Sequence, residues 1–120
     1  MEAQYKTAKQ DEKDDVTSAL SAGIAQVFRR ISPVKGRAFL FGSRARGDAR
    51  QDSDWDVLLL LDKDRLTADD MNEVSYPIRE LGWSIDAAVN PIMYTMKDWE
   101  KRSSTPFYKN VMREGVPLWT

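Results

Sequence analysis

Cysteine and histidine are both missing from this 120-residue chain. Without cysteine there are no disulfides, no thiol nucleophile and no zinc–thiolate site. Without histidine there is no imidazole general base, no serine triad of the usual kind and no His-ligated metal. Any catalysis falls to carboxylates, hydroxyls, lysine, arginine or a bound cation. Excess charge of one sign is also lacking. The formal net charge is -1, so the field of the whole molecule does not favour nonspecific binding to nucleic acid or anionic lipid. No apolar run is long enough to span a bilayer. The opening MEAQYKTAKQDEKDD is too polar for a secretory signal, which makes the cytoplasm the expected location.

What is present is an ordinary globular mixture, 42% hydrophobic and 31% charged, of a length that suits one domain. Residues 1–12 are polar and without apolar period, and read as a loose tail ahead of a domain over 13–120. Asp14 or Asp15 is placed to cap a helix whose face carries Val16, Leu20, Ile24, Val27, Phe28 and Ile31. Ser32-Pro33 ends it. Arg37 to Phe41 reads as a short buried strand. Val57 to Leu61 reads as a central strand covered on both faces. Thr67 is the expected N-cap of a second helix with Met71, Val74, Ile78 and Leu81 on its apolar stripe and Gly82 as its stop; Pro77 kinks or splits it. Trp83 to Val89 reads as a third strand broken at Asn90-Pro91. Short helices are expected over 96–102 and 105–114, the latter stopped by Gly115, with an apolar VPLW end docked on the body. Trp83 and Trp119 are read as core or docking residues. The order of elements predicts an α/β (α+β) fold, a single mixed β-sheet flanked by helices.

The chemically informative stretch is Gly42 to Asp56. Arg29, Arg30, Lys35, Arg37, Arg44, Arg46 and Arg50 precede it or lie in it, and Asp52, Asp54 and Asp56 close it. A basic stretch followed by an acidic one suits a ligand carrying both phosphates and a divalent cation. Gly42-Ser43 follows a strand, where a glycine lets the backbone approach a phosphate and a hydroxyl donates to it. Asp54 and Asp56 are two apart at a strand start, so their carboxylates share a face. Oxygen ligands so paired suit magnesium bound together with substrate phosphates. Asp86, between Ile85 and Ala87 in an apolar run, is costly to bury unless paired or metal-bound. Other readings of the stretch fail: Asp48-Ala49 stand where a P-loop needs its lysine and hydroxyl, and Val57 and Lys63 stand where an EF-hand needs glycine and glutamate.

Gly42 to Asp56, GSRARGDARQDSDWD, resembles the signature of the DNA polymerase β-like nucleotidyltransferase superfamily, and most closely its minimal nucleotidyltransferase branch. The resemblance extends over most of the chain from about Arg37, taking in SIDAAV around Asp86 and the closing NVMREGVPLW. It implies a sheet carrying Asp54, Asp56 and Asp86, with the Gly-Ser turn facing them. It implies that Gly42 and Ser43 hold the β- and γ-phosphates, that Asp54 and Asp56 bind two Mg2+ ions, and that Asp86 completes the metal site near the attacking hydroxyl. Arg46 stands at the Arg of A-R-G, to brace the loop or to lie near phosphate. The implied activity is transfer of a nucleotide, AMP from ATP, to a hydroxyl with release of pyrophosphate. Larger relatives carry an extra helical domain for the acceptor. None follows Thr120, so the resemblance implies an acceptor surface supplied by another chain, a homo-oligomer or the acceptor itself. Minimal members resemble the antitoxin of a pair with a helical HEPN-type partner. Two alternatives stay open: a non-catalytic module that neutralises its partner by contact, and a small-molecule, aminoglycoside-type nucleotidyltransferase with Asp69, Asp70 and Glu73 lining its acceptor pocket.

Overall fold

The computed structural model describes residues 7–120. Its first element, α1 (Ala8–Arg30), starts earlier than the apolar period indicates. Thr7 is the N-cap, its hydroxyl accepting from the Gln10 amide at 3.1 Å, and neither Asp14 nor Asp15 caps. The polar stretch is helical because the body anchors it. Lys13 Nζ donates to the Ala45 carbonyl at 2.9 Å, and Glu12 pairs with Arg44 at 3.6 Å. The expected tail is therefore helix from Ala8 onward; its residues 1–6 lie outside the described residues. Farther along, Val16, Leu20, Ile24, Val27 and Phe28 are buried on one face, as their spacing requires.

Four strands form one mixed sheet: β1 (Gly36–Phe41), β2 (Trp55–Leu61), β3 (Val89–Thr95) and β4 (Val116–Trp119), in the order β3-β2-β1-β4. β1 pairs antiparallel with both β2 and β4, while β2 and β3 run parallel. The closing VPLW is thus an edge strand, and Trp119 on it stacks on Phe28 with ring centroids 6.0 Å apart. β2 is central. Val57, Leu59 and Leu61 enter the layer shared with α1. Leu58 and Leu60 enter the opposite layer with Trp99 and Val111, from α5 (Met96–Lys101) and α6 (Pro106–Glu114). The uninterrupted apolar run follows from having two faces to fill.

The segment after β2 opens on the expected cap. Thr67 and Asp70 form a capping box around α3 (Ala68–Asp70). A π-helical turn, Met71–Ser75, then leads into α4 (Tyr76–Ser84). Pro77 falls in the first turn of α4, where a missing N–H costs nothing, so the proline resets the helix register and does not break the helix. The reset turns Met71 out of the stripe and leaves it exposed, while Val74 and Ile78 are buried. Gly82 does not stop α4. It lies inside the last turn, where a Cβ would come within 2.5 Å of the Ala87 carbonyl oxygen.

The third strand is displaced from where the sequence suggests. Trp83 and Ser84 end α4, residues 85–88 form a turn, and β3 runs through Asn90 and Pro91. Proline is tolerated there because β3 is an edge strand bonded on one side only. Trp83, read as a core or docking residue, is not in the core: it is 59% exposed. No described helix is long and apolar enough to cross a membrane.

Candidate functional site

The chain turns sharply where β1 ends. Gly42 has φ 76 and ψ -158, a region open essentially to glycine. A one-turn helix α2 (Ser43–Arg46) follows, closed by Gly47 at φ 87. A Cβ built on Gly42 would lie 2.7 Å from Asp56 Oδ2. The bend and the carboxylate are therefore in direct apposition, and a bare Cα is what allows it.

The loop from Gly47 to Asp54 is held by Arg44, which the sequence presents only as one cation among several. Its side chain is buried. Nε donates to the Ser53 carbonyl at 3.2 Å, and one terminal nitrogen donates to Gln51 and Ser53 carbonyls, each at 3.0 Å. The guanidinium lies 4.5 Å from the Trp55 ring centroid. Arg44 thus braces the loop that delivers Asp54 to the start of β2. The only sequence signal for it is its place two residues after the glycine bend.

Arg46 is turned outward. Nε reaches Asp48 Oδ2 at 3.2 Å and a terminal nitrogen reaches Glu114 Oε2 at 3.4 Å. The hydrogen bond and charge of Asp48, then those of Glu114, raise its pKa. Of the two roles open to it, the structure fits bracing, between the loop and α6.

Trp55 packs in the α1-side layer. Asp56, the next residue of the strand, consequently lies on the other face of β2, and Asp54 stands just ahead of the strand. Asp54 is exposed and Asp56 half-buried. Asp56 stands opposite Phe41 on β1 and opposite Asn90 on β3, and Asn90 Nδ2 donates to its Oδ1 at 3.2 Å. The carboxylate is thus framed by the glycine bend and an amide.

Asp86 is not part of this group. It occupies the turn before β3 in a left-handed conformation, φ 57, exposed. Aspartate accepts that conformation more readily than most residues. It lines a cleft of about 330 Å3 with Glu12, Arg44, Asp52, Trp55 and Trp83. Among the described residues no three acidic side chains come together as a metal-holding group, so the expected Asp54–Asp56–Asp86 triad is not formed. The position in register with Asp56 belongs to Asn90, four residues later. Asp70 is likewise committed elsewhere, accepting from Lys63 Nζ at 2.9 Å and from the Thr67 amide at 2.7 Å. It is a capping residue. A carboxylate on β2 with a second two residues earlier in the chain is a donor set that suits a hard divalent cation whose remaining ligands are phosphate oxygens and water.

Residues 22–112 match the family model of the nucleotidyltransferase domain. No curated protein sequence matches the chain significantly. Among solved structures, a Sulfolobus solfataricus protein assigned as a nucleotidyltransferase has a TM-score of 0.65 at 21% identity, over 99% of this chain and 93% of its own. A chain from a toxin–antitoxin crystal structure with AMP-PNP has a TM-score of 0.54 at 23% identity, over 82% of this chain and 72% of its own. A chain from the complex of a tri-AMPylated Shewanella oneidensis HEPN toxin with its MNT antitoxin has a TM-score of 0.51 at 20% identity, over 86% of this chain and 71% of its own. These likenesses are likenesses of fold. The family match spans most of the chain, glycine bend and carboxylate pair included, and the protein belongs to the nucleotidyltransferase domain family.

Proposed function

We propose that this protein transfers AMP from ATP, with magnesium, to a hydroxyl on a partner protein, as the antitoxin of a pair with a HEPN-type helical toxin. The observation that carries the reading is the apposition of Gly42 and Asp56, which sets a phosphate-approaching bend against a cation-binding carboxylate. Gly42 and Ser43 hold the β- and γ-phosphates through backbone amides and the Ser43 hydroxyl. Asp54 and Asp56 hold magnesium, which when bound neutralises the triphosphate and favours ionisation of the acceptor hydroxyl. The acceptor hydroxyl gives up its proton to water, its oxygen attacks the α-phosphorus in line, the bond to the bridging oxygen breaks, and pyrophosphate leaves with the displaced charge. Arg44 and Arg46 act earlier, by fixing the loop so that the two carboxylates converge before substrate arrives.

The partner reading draws support from the folds it shares with chains of toxin–antitoxin complexes, one with AMP-PNP and one with an AMPylated toxin. The test is incubation with α-labelled ATP, magnesium and the product of the adjacent gene. Label on that protein, lost in Asp56→Asn, is the expected result. Among the described residues no third acidic side chain joins Asp54 and Asp56 in a metal-holding group, which favours a second reading, a module that neutralises its partner by contact. Tight complex formation with no label on any acceptor would select it over transfer.

A further inference from the structure

Asn90 is the one polar side chain in register with Asp56 on the neighbouring parallel strand. Residues paired across parallel strands share a face, which puts the amide on the side of the sheet that carries the carboxylate. Only its nitrogen can donate to Asp56 Oδ1, so the 3.2 Å bond fixes which way the amide points. Its strand is held in place on both sides of it: Val89 is buried in the α1-side layer and Pro91, also buried, is paired with Val57. Aspartate would be nearly isosteric here but would set a third negative charge against Asp56, whereas the amide donates a hydrogen bond to it.

We propose that Asn90 is a positioning residue that holds Asp56 for cation binding, and that its neutrality limits the site to one divalent cation, the one shared with substrate phosphate. The proposal rests on the nucleotidyltransferase reading of Asp54 and Asp56. Two carboxylates and the phosphates suffice for one hard cation. A second cation beside it needs a further anionic ligand to offset their mutual repulsion. Asp86 does not supply it, being held in the turn beside Trp55 and Trp83.

Equilibrium dialysis of the full chain against Mn2+ and a non-hydrolysable ATP analogue, with metal and nucleotide both counted, tests this. One Mn2+ per bound nucleotide is expected for the wild type, and two for Asn90→Asp. Asn90→Ala should weaken Mn2+ binding on the order of tenfold, the effect of losing one hydrogen bond to a charged group. Without metal, Asn90→Asp should melt below the wild type because like charges then sit opposite each other, and Mn2+ should restore it. A purely structural Asn90 would instead lower the melting temperature of both variants regardless of metal. Two Mn2+ per nucleotide in the wild type overturns the proposal. So do Asn90 variants that bind metal as the wild type does while Asp56→Asn abolishes binding; in that case the reading of Asp54 and Asp56 survives. A wild type that binds neither metal nor nucleotide overturns both.

Discussion

A methyl group on Gly42 would press on Asp56 Oδ2 from 2.7 Å, with the backbone at a φ of 76. Gly42→Ala should therefore cost about 1–3 kcal/mol in stability, the range for a side chain forced into such a region. It should also abolish magnesium-dependent nucleotide binding; denaturant titration and calorimetry report the two effects. Asp54→Asn and Asp56→Asn should separate them, removing nucleotide binding while the melting temperature barely moves. A melting temperature that falls with the binding would give these carboxylates a structural role instead. Arg44 and Arg46, two residues apart, make a further contrast. Arg44→Lys loses the planar fork that reaches the Gln51 and Ser53 carbonyls, and should destabilise the fold by about 1–3 kcal/mol. Arg46→Lys, at a partly exposed pair of carboxylates, should leave the melting temperature nearly unchanged.

The turn from β2 into α3 is stabilised by charge as well as by packing. Burial works against ionisation of Asp70, but the Thr67 amide and the Lys63 ammonium outweigh it and hold the carboxyl below its ordinary range. A carboxyl lowered in the folded state adds stability above its unfolded pKa, about 4, and loses it as the pH falls through the lower folded value. Asp70→Ala should accordingly cost about 1 kcal/mol at neutral pH. The gap to the wild type should narrow as the pH drops below 4, as followed by urea titration across pH. A gap independent of pH would show that the cap acts through shape alone. The next element shows why propensity placed β3 too early. WSIDAAV has the residues of a strand, but Gly82 lets Ala87 and Val89 pack against the end of α4, which extends the helix and delays the strand. Pro91, a strand breaker by itself, is harmless at a sheet edge.

Helices on both faces of a four-stranded sheet make β2 the strand on which the whole molecule depends. Leu59 and Leu60 point into opposite layers, each about 1% exposed. Either changed to alanine should cost about 2–5 kcal/mol, read from denaturant midpoints at constant slope. Because β2 also carries Asp56 at its start, both variants should lose nucleotide binding only in proportion to unfolding. Loss of binding in the folded fraction would show that the site is strained by the core beneath it. Trp83 is exposed and meets Tyr76 edge-on, so Trp83→Ser should leave the fold intact.

Local chemistry fixed the pieces whose reasons are local. The α1 stripe, the two-faced run of β2, the Thr67 cap and the Gly42 bend all follow from spacing and residue type, and the structure has each of them. Pairing between distant segments decided the rest. The polar start of α1 is helical because Ala45 and Arg44 anchor Lys13 and Glu12. Arg44, not Arg46, became the buried brace because Trp55 and two loop carbonyls converge on it. Asn90, not Asp86, stands beside Asp56, because which residue meets a neighbouring strand depends on where that strand begins and on its register, and a shift of a few residues changes the chemistry of a site.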